Sequence, residues 1–233
     1  MAVANQTLSR PGLFRSTVGQ KVIMAISGAA LVLFLLAHMI GNLKIFFGAE
    51  AFDHYAHWLR EIGAPMLPTA GFLWIQRIGL LVALGLHVWS AAALTIRARK
   101  ARPVKYAHRK PVQGSYAART MRWGGVIVFL FVVYHILDLT TRHLNPVADT
   151  SKAHAAVAAD FGPDRWYVTA FYALAVTTLG FHLRHGIWSG LQTLGVSNAR
   201  RERLLQGIAF AVAFVICAGF LSVPFAVLTG LVK

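Results

Sequence analysis

The chain has 233 residues, 57% of them hydrophobic and only 13% charged, with a mean hydropathy of +0.57. Soluble domains carry about 25% charged residues, so this composition excludes an ordinary water-soluble globule and indicates an integral membrane protein. The formal charge of +15 does not point to nucleic acid, because the basic residues lie in short stretches between apolar runs, where they act as topology signals. The single cysteine, Cys217, lies inside an apolar run, which excludes a disulfide framework and a protein-held iron–sulfur cluster.

A membrane helix needs roughly 20 apolar residues, and five segments qualify. They are predicted at about 22–47, 71–96, 123–142, 166–190 and 207–230, in one membrane domain spanning 1–233. The first follows a polar tail carrying Arg10 and Arg15. It is too long for a signal-peptide core and no small-residue cleavage site follows it, so it reads as a retained membrane helix. It contains His38, in LLAHMIGN. The stretch GAEAFDHYAHWLREIG that comes next predicts an amphipathic helix over about 50–62, with Phe52, Tyr55, Trp58 and Leu59 toward the membrane. The second segment contains Gln76, Arg77 and His87. The stretch 97–122 then carries nine Lys and Arg residues, suited to anionic lipid. The third segment opens on Gly124-Gly125 and carries His135 and Asp138. Asn145-Pro146 and a run of alanines predict a turn and a short surface helix between it and the fourth, which carries His182, Arg184 and His185. The fifth segment has no histidine.

Lys and Arg concentrate in alternate connections: the N-terminal tail, 97–122 and 191–206 are basic, whereas 43–70 and 142–165 balance their bases with acids. The bias toward positive residues on the cytoplasmic side places the N-terminus in the cytoplasm and the C-terminus outside.

An imidazole in hydrocarbon is costly without a partner, so the depths of the histidines carry information. His38 and His135 each lie a few residues past the midpoint of outward-running segments, and His87 and His182 past the midpoint of inward-running ones. At about 1.5 Å rise per residue, this places two histidines ~5 Å outside the mid-plane and two ~5 Å inside it. Two imidazoles at one depth on facing helices can clamp a haem iron, and haem b needs no cysteine attachment. Ser27-Gly28-Ala29-Ala30, Gly85, Gly124-Gly125 and Gly180 are candidates for admitting the porphyrin. A single membrane histidine is as readily explained by a helix-bridging hydrogen bond or a proton relay. Four histidines in two pairs at two depths favour a diheme protein.

The motifs LLAHMIGN, GAEAF with AHW, LGLHVWS, VVYHILD and FHLRHGIWS, in this order, resemble the single-chain, five-helix diheme cytochrome b anchor of bacterial succinate dehydrogenases and fumarate reductases. The resemblance spans nearly the whole chain. It implies an all-α membrane protein whose first four membrane helices surround two haems b, with His38 and His135 ligating the outer haem and His87 and His182 the inner one. It further implies a flavoprotein subunit, an iron–sulfur subunit docked on the cytoplasmic face and aided by the basic 97–122 stretch, and a membrane quinone, menaquinone by family habit. The chain would then sit in the bacterial cytoplasmic membrane, in the respiratory chain and the tricarboxylic acid cycle, and carry electrons rather than the succinate chemistry. At the position two residues before the fourth ligand, where some relatives of this type carry a proton-path glutamate, this chain has Gly180.

Haem propionates need donors. Arg122 and Arg184 are candidates on the inner side, with His185 as a neighbour of that haem. Arg77, with Arg142 and His143, is the candidate on the outer side. Asp138, the only acid well inside an apolar segment, is a candidate for proton exchange with quinone or for a helix-to-helix hydrogen bond. Two alternatives remain at this stage: a diheme anchor of another respiratory dehydrogenase, and a haem-free transporter or scaffold with histidine-bridged helices.

Overall fold

The computed structural model describes Gly12, residues 14–101 and residues 116–232, with side chains in the last stretch from Met121 onward. Arg10 and most of the basic 97–122 stretch lie outside the described residues. Among those described, every regular element is helical. Five helices are long and apolar enough to cross a membrane, covering Thr17–Phe47, Gly71–Lys100, Met121–Thr140, Pro163–Thr193 and Glu202–Leu228.

Helix α1, Thr17–Asn42, starts at a Ser16 cap whose Oγ accepts from the Gly19 amide at 2.9 Å. Such a cap satisfies one of the orphan amides of the first turn. The helix tightens into a 3-10 turn, Leu43–Phe47, and Gly48 at φ 98° redirects the chain, a conformation that suits glycine. Helix α2, Ala49–Glu61, follows, then α3, Gly71–Lys100. Helix α4, Tyr116–His135, runs on into a π-helical turn, Ile136–Thr140. The short α5, Ala153–Asp160, precedes the long α6, Trp166–Thr193, and α7, Glu202–Leu228, ends the bundle. The first span begins five residues before the sequence expectation, the second runs four beyond it and the fifth begins five before it. Polar and basic ends such as Thr17 and Lys100 keep helical geometry after the apolar signal has faded.

Helix α1 packs along α3, α6 and α7, and α6 packs along α4 and α7. Helices α1 and α4 are not in extended contact, nor are α3 and α6. The core between α1, α6 and α7 is made by Met39, Leu179, Leu183, Ala213 and Ile216. Large apolar side chains such as Leu33, Ile78, Leu81, Leu130, Leu174 and Phe214 are exposed on the outside of the helices. In water such a belt would be an aggregation surface, whereas hydrocarbon accepts it without cost.

Helix α2 does not present its whole apolar face as expected. Phe52 is buried, Tyr55 and Leu59 are half-buried, and only Trp58 is exposed. The first three turn toward the end of the bundle because Gly41 of α1 leaves room there. A Cβ at Gly41 would come within 2.7 Å of the Tyr55 hydroxyl oxygen. The second surface helix also differs from expectation, since α5 buries His154, Ala156 and Asp160. It is tied to α2 by the His154 amide, which donates to the Asp53 carboxylate at 2.8 Å, and by the Arg60 guanidinium, which donates to the Thr150 carbonyl at 2.9 Å. Phe52 joins Ile45 and Val223 in the cluster beneath this cover. Phe52→Ala should cost about 3–5 kcal/mol of local stability, read as faster amide exchange and proteolysis across 49–61 with α6 and α7 unchanged.

Candidate functional site: two histidine pairs

The diagonal helices that do not pack along each other meet at histidine rings. His38 of α1 and His135 of α4 have ring centres 5.9 Å apart, with planes crossed at 84°. His87 of α3 and His182 of α6 have ring centres 6.2 Å apart, with planes crossed at 62°. Two imidazoles held on opposite sides of one metal, with bonds of about 2.0–2.1 Å, have ring centres about 6.3 Å apart. Both separations match that arrangement. Among the described residues no three His, Cys, Asp or Glu side chains converge to hold a bare metal ion. Each pair brings two imidazoles from different helices within reach of one shared group.

The polar surroundings of the rings differ from pair to pair. The His87 Nδ1 lies 3.1 Å from the Met24 carbonyl of α1. A carbonyl only accepts, so Nδ1 carries the proton and Nε2 keeps its lone pair for a ligand. Gly28 permits this approach, because a Cβ there would stand 3.2 Å from the His87 Cε1. The His182 ring lies opposite Gly125, whose added Cβ would meet its Cε1 at 3.5 Å. The His182 Nδ1 is buried and has no hydrogen-bond partner among the described residues.

At the other pair, the His135 Nδ1 lies 3.3 Å from the Tyr172 hydroxyl, and that hydroxyl donates to the Asp138 carboxylate at 2.8 Å. With its proton given to Asp138, the Tyr172 oxygen accepts from His135 Nδ1, which again leaves Nε2 free. Asp138 is fully buried and is also within 3.5 Å of the Asn145 amide nitrogen. Phe34 and Phe220 flank the His38 ring, and Phe131 lies beside His135. An aromatic wall of this kind suits a flat apolar macrocycle. Beside His38 a cavity of about 160 Å³ opens under α2, lined by Gly41, Asn42, Phe52, Tyr55, Ala56, Leu59 and Ala153.

No family model, no curated protein and no solved structure matches this chain. The functional reading therefore rests on the residues and their placement.

Of the porphyrin-admitting residues named from sequence, Gly28 and Gly125 face histidine rings, whereas Gly180 does not. A Cβ at Gly180 would come within 2.8 Å of the Cys217 Sγ of α7, so this glycine serves a helix crossing. Gly85 has open space at its Cβ position. The candidate propionate donors are placed unequally. Arg77 is exposed with its guanidinium 5.0 Å over the Trp74 ring, the posture of an interfacial arginine. Arg122 is exposed, and Arg184 lies 5.8 Å over the Phe210 ring of α7. His185 stacks edgewise on Trp188 at 5.8 Å, while His182 is the ring that meets His87. Arg142 is buried, and its Nε and Nη1 have no hydrogen-bond partner among the described residues. Burial lowers its pKa from the ordinary value, while the nearby Asp138 charge works the other way. His143 bonds only to its neighbour Thr141, at 2.8 Å among the described residues.

Sequence reading missed Tyr172, Asp160 and the Met24 carbonyl. The depth reckoning used for the histidines would have flagged Tyr172, had it been extended to hydroxyl-bearing aromatics. It lies ten residues, or about 15 Å, from His182 toward the α2 end of the bundle.

Proposed function

We propose that this chain is the membrane anchor and electron-transfer subunit of a succinate:quinone oxidoreductase, carrying electrons between an iron–sulfur subunit and membrane quinone through two haems b. The observation that carries the haem part is the meeting of two imidazole pairs across diagonal helices, at two depths and at the spacing of a shared metal. His38 with His135 would hold one haem near the α2 end, and His87 with His182 the other. When bound, each haem supplies reversible one-electron transfer at its iron. The protein orients the rings through the Met24 carbonyl and Tyr172, and Gly28 and Gly125 keep the approaches to His87 and His182 clear. Phe34, Phe131 and Phe220 keep water from the outer pair. Arg142, with two unmet donors, is the favoured holder of a propionate at that end; the exposed Arg77 has less claim.

The enzyme assignment rests on the order of the motifs. The partners are then a flavoprotein subunit that handles succinate and an iron–sulfur subunit on the basic, cytoplasmic side, and the quinone is menaquinone. The multi-pass membrane character agrees with placement in the bacterial cytoplasmic membrane, N-terminus inside. The cavity beside His38 is the best-placed opening for a quinone ring among the described residues. The testing experiment is a dithionite-reduced minus oxidised spectrum of the purified complex, with haem counted per chain as pyridine haemochrome. Two b-type haems, reducible by succinate when the partner subunits are present, are expected. A colourless protein would return it to the class of histidine-bridged scaffolds, and haem that succinate does not reduce would assign it to another dehydrogenase.

A further inference from the structure

The hydrogen bonds that leave His135 do not stop at Tyr172. They continue to Asp138 and then to Asp160 at the end of α5, whose side chain is in hydrogen-bonding reach of Asp138. Both carboxyl groups are fully buried. The Asp160 Oδ1 accepts from the Arg165 guanidinium at 2.8 Å, but its Oδ2 is buried and receives no donor from the described residues. Two carboxylates side by side cannot both stay ionised at low cost, and a proton between them supplies the missing donor. Arg165 reaches partial exposure, its side chain 26% accessible, so the far end of the chain of bonds comes to the protein surface next to α5.

We propose that the Asp138–Asp160 pair is a proton acceptor coupled through Tyr172 and His135 to the His38–His135 centre, so that one electron arriving there draws one proton into the pair. This rests on the haem reading above. The electron comes from the reductant feeding the chain, an iron–sulfur protein in the complex or dithionite in the test. The proton comes from water on the α2/α5 side and forms an O–H bond on Asp160, with no covalent bond broken in the protein. Geometry favours this pair over other acids because it combines burial, an unmet acceptor and a continuous path to one ring nitrogen. Burial and the Asp138 carboxylate hold the Asp160 carboxyl up to about 7, against the pull of Arg165. The other groups facing the pair are Tyr134 on α4, Tyr172 on α6 and Arg142 after the π-helical turn, with Arg60, Asp149 and Tyr167 one layer further out.

At pH below the raised pKa of Asp160 its carboxyl already holds the proton in both redox states, and above it the proton is taken up only on reduction. The midpoint potential of the His38–His135 centre should therefore fall as pH rises through and beyond this value, while that of the His87–His182 centre stays flat.

The experiment is a redox titration of the purified complex across neutral pH, following both haem signals. It is paired with infrared spectroscopy of the oxidised protein in the protonated-carboxyl region. Wild type should show the falling potential and a carboxylic acid band that disappears as pH rises through about 7. Asp160→Asn should keep both haems, lose the band and flatten the potential. Tyr172→Phe should keep the band and weaken the pH dependence, a combination that a merely structural role for Tyr172 would not give. A pH dependence unchanged in Asp160→Asn overturns the proposal, as does a wild type without the acid band. Should Asp160→Asn fail to fold, the wild-type band and Tyr172→Phe decide. A haem-free preparation overturns both the anchor reading and the coupling, while a titrating acid band in that preparation would still establish the shared proton.

Discussion

On the proposed diheme reading, His135→Ala should lower the haem content from two per chain to one and remove the signal of the centre nearer α2. His38→Ala should do the same, because either substitution would leave a single imidazole from one helix where the reading requires two from diagonal helices. His87→Ala and His182→Ala should each remove the other signal and leave that of the His38–His135 centre in place. The chain should persist in all four variants, since none of these rings is among Met39, Leu179, Leu183, Ala213 and Ile216, the buried residues of the α1–α6–α7 core. His185→Ala should leave the haem content unchanged, because its ring lies against Trp188 and not in either pair. Pyridine haemochrome on the purified variants measures all five. Loss of a haem in His185→Ala but not in His182→Ala would reassign the fourth ligand.

Gly180→Ala destabilises the chain by about 1–3 kcal/mol through overpacking, even though alanine is the better helix former. The new methyl would stand 2.8 Å from the Cys217 Sγ, where α6 and α7 press together. That sulfur lies 3.4 Å from the Val176 carbonyl, so swinging it aside also gives up a weak hydrogen bond. Cys217→Ala alone is nearly neutral, and the double variant recovers most of the loss. The coupling between the two sites should reach about 0.5–3 kcal/mol, as expected for residues in contact. Thermal unfolding in detergent of the four proteins reads the cycle. Additive losses would show that the two residues do not share one packing site.

The parts of this molecule that were legible from sequence are those written locally in composition. Five spans emerge from apolar length alone, because hydrocarbon demands it regardless of tertiary detail. The four histidines could be sorted by depth because rise per residue is a constant of the helix. What stayed hidden depends on which way a short segment turns. The alanine-rich 153–160 stretch has little amphipathic pattern, so nothing local announces that Asp160 is sealed against Asp138. The apolar face of α2 reads equally well as membrane-facing or bundle-facing, and Gly41, a helix turn away from His38, decides it by leaving room for Tyr55. Gly180 and Gly28 look alike as small residues in apolar runs. One admits a cysteine from α7 and the other a histidine from α3, and that distinction belongs to the crossing of helices.

The π-helical turn at Ile136–Thr140 follows His135 without interruption and contains Asp138. Such a wide turn amounts to one residue more than an α-helix would use over the same advance, and such turns recur where function is placed. The alignment of His135 and Asp138 on one hydroxyl is therefore a matter of winding. Deleting Ile136 or Leu137 would keep the chemical identity of His135, Asp138 and Tyr172, yet rotate the carboxylate about 100° around the helix axis relative to the ring. The ring would remain in its pair while its connection to the aqueous side was cut. A homologous protein could thus gain or lose the proton link by an insertion or deletion of one codon, with every polar residue of the path unchanged.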